Sequence, residues 1–138
     1  MIDRVSFRAF VAATEDESRV REALGIFVPL DRISAITAQG HFGNEIKILE
    51  ASLRKKDSLA FFQILREQLP MGDLVRLRRE MPERLGEDKH FHLRLDKQAA
   101  YKGMLRLTDS DDALDISALI KTYPARREEA LRILSELL

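Results

Sequence analysis

Apolar and polar residues alternate with a period of two in several segments, which is the pattern of a half-buried β-strand. In residues 5–12, Val5 and Phe7 fall on one face, whereas Arg8 and Phe10 fall on the other. Similar patterns predict further strands at residues 33–39, 45–54, 90–96, 104–108 and 114–122. The sequence therefore predicts a sheet with one apolar face and one polar face.

Helical spacing of apolar residues separates these strands. Thr14 and Glu17 form a capping-box pattern, which predicts a helix from Thr14 to about Phe27. Further helices are predicted at residues 57–69, at 73–81 up to Pro82, at 97–102 as a short turn, and from Pro124 onward. This order predicts a single α+β domain over residues 1–138, in which helices pack on one face of a mostly antiparallel sheet.

Composition removes several classes of function. The chain has 138 residues, 23 basic and 23 acidic side chains, and no cysteine. The lack of cysteine excludes disulfides, thiolate nucleophiles and cysteine-based zinc sites. No apolar run approaches the roughly 20 residues that span a bilayer, and the first residues lack the apolar core of a signal peptide. We therefore expect a cytoplasmic protein that does not associate with membranes.

Candidate motifs for catalysis or metal binding are weak. His90 and His92 share a strand face, but two imidazoles without a well-spaced carboxylate are more simply polar-face residues. Residues 109–112 begin like a calcium loop, yet Leu114 stands where that loop requires glycine. Gly40 and Gly43 are placed as in a hairpin loop. We expect neither enzymatic activity, nor a cofactor, nor a metal.

Cations and aromatic residues on the polar side of the predicted sheet are the more informative pattern. Such residues bind phosphates and stack on unpaired bases, although a solvated outer sheet face often carries Lys and Arg as well. The residues are Arg8, Phe10, His92, Arg94, Lys97, Lys102, Arg106, Lys121, Tyr123, Arg126 and Arg127.

Four segments together resemble an archaeal family of RNA-binding proteins that is linked to the exosome. They occur in the family's order and span almost the whole chain, and RLDKQAAY at 94–101 is the most specific. The segments are Ser6–Val11 with Thr14–Glu17, Gly40–Asn44, Leu93–Gly103 and Lys121–Arg126. The resemblance implies RNA binding and a fold similar to large-subunit ribosomal protein five. It also implies a role in RNA processing, RNA degradation or ribosome-related assembly.

The resemblance also implies a binding surface. Its residues are Arg8, His41, Asn44, Arg94, Lys97, Gln98, Tyr101, Lys102, Tyr123 and Arg126. For Asp96 and Tyr101 a structural role competes strongly, because an aspartate caps a helical turn and a semi-buried tyrosine anchors it. For Arg94, Lys97 and Lys102 the structural and binding interpretations are closely balanced.

Charge is unevenly distributed along this neutral chain. Residues 71–108 hold 9 basic and 6 acidic side chains, a net charge of +3, whereas residues 109–138 hold 4 and 7, a net charge of −3. Because salt screens charges beyond about 10 Å, a local patch matters more than the total. The leading hypothesis is a non-catalytic RNA-binding protein. The alternative is a protein–protein adaptor in an RNA-processing complex, with exosome or ribosome-related proteins as partners.

Overall fold

Five strands form one antiparallel sheet in the computed structural model, which describes residues 1–39, 43 and 45–138. Within this part of the chain the strands are β1 (Ile2–Val11), β2 (Ser34–Gln39), β3 (Glu45–Arg54), β4 (His90–Asp96) and β5 (Ala113–Ile120). Their order across the sheet is β2-β3-β1-β5-β4, and every neighbouring pair is antiparallel. The first strand therefore lies at the centre of the sheet.

Helices supply the other half of the fold. Among the described residues they are α1 (Glu17–Leu24), α2 (Lys56–Gln68), α3 (Met71–Arg79), α4 (Met81–Arg84), α5 (Lys97–Tyr101) and α6 (Arg127–Leu137). A single 3₁₀ turn at Leu30–Arg32 precedes β2. The α+β class with an antiparallel sheet is thus confirmed. No helix in the described residues is both long and apolar enough to cross a membrane.

One apolar core joins the helices to one face of the sheet. Val5, Phe7 and Ala9 of β1 belong to the same buried cluster as residues of every helix, which confirms that the helices pack on one face. Phe7 lies 5.5 Å from Phe61 of α2, measured between ring centroids, in an edge-to-face arrangement. Such aromatic pairs contribute about 0.5–1.5 kcal/mol beyond their buried area. None of the helices in the described residues covers the opposite face of the sheet.

The predicted strand at 104–108 is wrong. Leu105 and Leu107 are buried, which explains the alternating pattern, but only Leu107 forms a bridge, to Leu95. Two backbone bonds flank this bridge, from the Thr108 N–H to the Arg94 carbonyl at 3.0 Å and from the Asp96 N–H to the Arg106 carbonyl at 2.8 Å, whereas the Leu107 N–H faces away from β4 and donates to the Asp73 carboxylate at 3.0 Å. Pairing does not extend toward residue 104, because the Met104 N–H donates to the Ala99 carbonyl at the end of α5.

Two predicted helix starts are also wrong. The side chain of Asp16, not that of Thr14, caps α1, because it accepts from the Ser18 N–H at 3.0 Å. The last helix begins at Arg127 rather than at Pro124. There the Thr122 hydroxyl accepts from the Arg126 N–H at 3.1 Å, which holds the preceding residues in a turn.

Two predicted helix ends and one predicted strand end differ as well. The first helix ends at Leu24, before the predicted Phe27, because backbone bonds to Leu24 turn the chain there. The helix predicted at 73–81 begins earlier and ends at Arg79. Pro82 does not end it but lies at the start of α4, a position that tolerates proline because the first turn needs no N–H donor. Strand β5 ends at Ile120, two residues before the predicted end at residue 122.

Candidate nucleic-acid interface

The face of the sheet without helices carries the polar residues of alternate strand positions. On β1 this face carries Arg4, Ser6 and Arg8 together with the apolar Phe10, because their neighbours Val5, Phe7 and Ala9 point into the core. This face, from here on called the open face, is the candidate interface.

Strand register arranges the open face in rows that cross the sheet. Cross-strand partners lie about 4.5–5.5 Å apart, and successive rows are about 7 Å apart because alternate residues share a face. One row is charged, the next carries serines, and the third carries two arginines. From the β3 side to the β4 side, the charged row is Glu50, Arg8, Asp115 and Arg94. The serine row is Ser52, Ser6, Ser117 and His92. The third row is Arg54, Arg4, Leu119 and His90.

A groove of about 1110 Å³ follows these rows. Besides the sheet residues, Arg32 lines it on the β2 side, and Glu83, Arg84 and Asp109 line it on the β4 side. Six arginines and four carboxylates of the described residues line the groove, which gives a net charge of +2. The groove is therefore locally basic in a chain whose net charge is zero.

The arginines of the groove fall into two groups. In the first group Arg8 binds Glu50 at 2.8 Å, Arg84 binds Glu80 at 2.7 Å, and Arg94 binds Asp115 at 2.7 Å and Asp111 at 3.1 Å. The second group is Arg4, Arg32 and Arg54, which make no salt bridge to any described carboxylate. Guanidinium groups without an internal partner are available to an anionic ligand such as a phosphate.

An apolar row borders the groove at the carboxyl end of β1. Phe10 pairs with Ile48 of β3, and Ile48 pairs with Ile36 of β2. Phe10 is 41% exposed and Ile36 is 48% exposed. The open face thus has unpaired arginines toward one end and exposed apolar side chains at the other.

Lys97 lies inside the protein rather than on this face. Its exposure is 4%, and its Nζ atom lies 2.8 Å from both the Glu15 carboxylate and the Phe10 carbonyl, and 3.2 Å from Asp112. That Lys97 contacts RNA stays a prediction; in this conformation its ammonium forms salt bridges with the internal carboxylates of Glu15 and Asp112.

Tyr101 and Gln98 are bound to the same cluster. The Tyr101 hydroxyl donates to Glu15, and the Gln98 amide donates to Asp112 at 3.0 Å. Burial tends to raise the pKa of Glu15, but hydrogen bonds from Lys97, Tyr101 and the Ala12 N–H outweigh it and hold this pKa below its ordinary value. Burial and the bond to Glu15 raise the pKa of Tyr101. The cluster therefore keeps a carboxylate, an ammonium and a neutral phenol together.

The remaining predicted site residues are dispersed. Arg106 binds Asp73 at 3.0 Å, and Arg127 donates to backbone carbonyls of residues 82 and 85. Lys102, Tyr123 and Arg126 are exposed. His41 and Asn44 lie outside the described residues. Of the predicted binding-surface residues that the structure describes, only Arg8 and Arg94 line the groove.

Comparison with known proteins decides the family. A family model described as "RNA binding" matches residues 4–121. The chain belongs to this RNA-binding family. The chain is 28% identical to an archaeal relative, RNA-binding protein PAB1135 of Pyrococcus abyssi, and the match covers 96% of this chain and 90% of that one. It is also 32% identical to protein MJ0213 of Methanocaldococcus jannaschii, with 96% and 94% covered.

Solved structures of relatives have the same fold. Protein AF2318 of Archaeoglobus fulgidus, described as DUF54, has a TM-score of 0.88 at 32% identity, and each chain is covered over 100% of its length. The DUF54 protein Mth689 of Methanothermobacter thermautotrophicus has a TM-score of 0.78 at 29% identity, with 100% of this chain and 98% of that one covered. The resemblance seen in the sequence is thereby confirmed at the level of the family.

The region that matches the RNA-binding family contains every residue that lines the groove. It begins at Arg4 and ends at residue 121, before Tyr123, Arg126 and Arg127. No cluster of three or more potential metal ligands occurs in the described part of the chain.

Sequence reasoning missed Arg4, Arg32 and Arg54. The alternation of β1 places Arg4 and Arg8 on one face, so Arg4 could have been found from the sequence. Arg54 could not, because its position beside Arg4 depends on the register of β1 against β3.

Proposed function

We propose that this protein is a non-catalytic RNA-binding protein that holds the RNA phosphate backbone in the groove of the open face. The single observation that carries the proposal is the presence of Arg4, Arg32 and Arg54, three groove arginines without salt bridges among the described residues. Arginine binds phosphates through a planar fork of donors.

The serine row supports phosphate or ribose contact between the two charged rows. Ser6, Ser52 and Ser117 are consecutive across β3, β1 and β5. Hydroxyl groups both donate and accept, so they suit phosphate oxygens and the ribose 2′-hydroxyl. Family membership supports RNA as the polyanion.

Arg8 and Arg94 complete the proposed site in a different role. Both are fixed by carboxylates of their own row, Glu50 and Asp115. We assign them to orienting the ligand, because a guanidinium that already binds a carboxylate adds little net positive charge. The wider predicted surface, with Lys102, Tyr123 and Arg126, remains part of the proposal as a periphery at the two ends of the sheet.

The experiment measures RNA affinity at several salt concentrations for the wild type and for Arg4→Gln/Arg54→Gln. Each lost phosphate contact lowers the slope of log K against log salt by about 0.7 for single strands. The double variant should therefore lose about 1.4 of slope. The matched control is Arg66→Gln on α2, an exposed arginine on the helical side. Equal slopes in all three proteins would overturn the proposed site.

In the cell we propose a cytoplasmic role in RNA processing, RNA degradation or ribosome-related assembly. The exosome or ribosome-related proteins are proposed partners on the basis of the sequence resemblance. Purification of tagged protein from cells, with and without ribonuclease, tests this: partners that survive ribonuclease bind the protein directly.

The adaptor alternative is favoured by one observation on the helical side. A small groove of about 420 Å³ is lined by Leu59, Phe62 and Leu137 together with polar residues of α2. Leu59 is 47% exposed. An adaptor would lose its protein partners in Leu59→Asp and would show no salt-dependent RNA binding.

A further inference from the structure

We propose that the apolar row of Phe10, Ile48 and Ile36 stacks on unpaired bases, so that the RNA segment held by the groove is single-stranded. This inference rests on the proposed function and adds to it the class of RNA. The first observation is exposure: Phe10 and Ile36 lie on the sheet face that no helix covers, at 41% and 48% exposure. Among the described residues, the Phe10 ring and the Ile36 methyl groups are in contact with solvent.

The backbone beneath Phe10 is held in place. The buried Lys97 ammonium donates to the Phe10 carbonyl at 2.8 Å, and the Phe10 strand position pairs with Ile48. Arg8, two residues before Phe10 on the same face, is fixed by Glu50 at 2.8 Å. An aromatic ring on a rigid strand beside a fixed guanidinium is a stacking platform, because both groups present flat surfaces to a base.

The spacing of the open face suits an extended nucleotide chain. From Arg4 to Phe10 the face runs six residues along β1, which is about 20 Å. Unpaired arginines lie at one end of this distance, serine hydroxyls in the middle and the apolar row at the other end. A single strand offers phosphates, ribose hydroxyls and base faces together, whereas an A-form duplex hides its base faces in the stack.

A protein partner fits the row less well. A stable protein–protein interface buries roughly 800 Å² on each partner around an apolar core. Three partly buried side chains provide much less than this area. The row on one side carries the charges of Arg8 and Glu50, and the described row on the other side adds the single apolar pair of Ile46 and Ala38. Charge complementarity with a nucleic acid therefore outweighs the apolar contact that a protein would make.

The test compares an unstructured RNA oligonucleotide with a blunt duplex of equal length, using the full chain and fluorescence anisotropy. Phe10→Ala should weaken single-strand binding by roughly 5- to 150-fold, which is the range for loss of one stacked base. Its salt slope should stay unchanged, since no charge is lost. Phe10→Trp should restore binding. Duplex affinity should change less than two-fold in every variant.

Val75→Ala on α3 is the matched control, because Val75 is 48% exposed, close to the 41% of Phe10, but lies on a helix away from the open face. Thermal denaturation verifies that each variant is folded, and Phe10→Leu replaces Phe10→Ala if the latter is not.

The outcomes separate this inference from the proposed function. If duplex and single strand bind alike, Phe10→Ala alters neither, and Arg4→Gln/Arg54→Gln still weakens binding, the inference is overturned and the proposed function stands. If no RNA binds in a salt-dependent way, both are overturned. If Phe10→Ala leaves RNA affinity intact but abolishes association with a second protein chain, the row is a protein-docking site and the inference is overturned.

Discussion

Glu15 is the residue whose removal should most disturb the buried polar cluster. One carboxylate oxygen accepts from Lys97 Nζ at 2.8 Å and from the Ala12 N–H at 3.0 Å, and the other accepts from the Tyr101 hydroxyl. Glu15→Ala would leave the Lys97 ammonium, which is 4% exposed, with the Phe10 carbonyl and Asp112.

The magnitude follows from burial of the ammonium. Removing one partner of a buried ion pair costs about 3–5 kcal/mol. The lower end applies here, because Asp112 lies 3.2 Å from Nζ and still offers a second carboxylate. A loss of about 3 kcal/mol is a large part of the 5–15 kcal/mol that holds a typical domain folded. It should lower Tm by roughly 10 °C for a chain of this size.

The assay is urea and thermal unfolding followed by circular dichroism. Glu22→Ala is the matched control, since Glu22 is exposed on α1 and its change should stay within about 0.5 kcal/mol. Lys97→Met, alone and with Glu15→Ala, completes a double-mutant cycle. The reasoning is refuted if Glu15→Ala costs no more than Glu22→Ala, or if its cost is the same with and without the Lys97 ammonium.

Three further predictions concern stability. Because the folded-state pKa of Glu15 is lowered, its contribution is present above the ordinary glutamate pKa of 4.5 and is lost as pH falls through the lower folded value; wild type should therefore lose more unfolding free energy on acidification than Glu15→Gln. Phe61→Ala, in the core, should cost about 3–5 kcal/mol, whereas Phe10→Ala should cost below about 1 kcal/mol because Phe10 is 41% exposed. Gly103→Ala should cost about 1–2 kcal/mol, since Gly103 has a φ of +74°. Chemical denaturation measures all three.

Each of these predictions has a contradicting result. Identical pH profiles for wild type and Glu15→Gln would show that Glu15 does not carry the acid sensitivity. Equal losses for the two phenylalanine variants would mean that the open face is not solvent-exposed. A neutral Gly103→Ala would show that alanine adopts the left-handed conformation there without strain.

The sheet was largely readable from the sequence, but the site was not. Alternation in β1 and β4 assigned Phe7 and Leu93 to the core and Arg8 and Arg94 to the outer face, and the structure agrees. The same reasoning failed at 104–108, where Leu105 and Leu107 are buried but pairing with β4 is limited to the bridge between Leu107 and Leu95. Periodicity indicates which side chains are buried, not how far the backbone continues a ladder.

Lys97 illustrates the limit of local sequence for function. Its neighbours predict an exposed cation in a helical turn, and α5 does form there, with Asp96 accepting from the Ala99 N–H at 3.2 Å. Yet the Lys97 ammonium is buried, because it donates to the carboxylate of Glu15, which is 82 positions away in the sequence. Only tertiary contacts determine whether a charge is available to a ligand.

Residue type and spacing are enough to assign the α+β class, the family and the buried and outer faces of β1 and β4. The tertiary structure decided which cations remain unpaired. Arg4 and Arg54 meet across β1 and β3 without a described carboxylate, whereas Arg8 meets Glu50. Register and long-range pairing set these neighbours, and the electrostatics of the groove follows from them rather than from the neutral total charge.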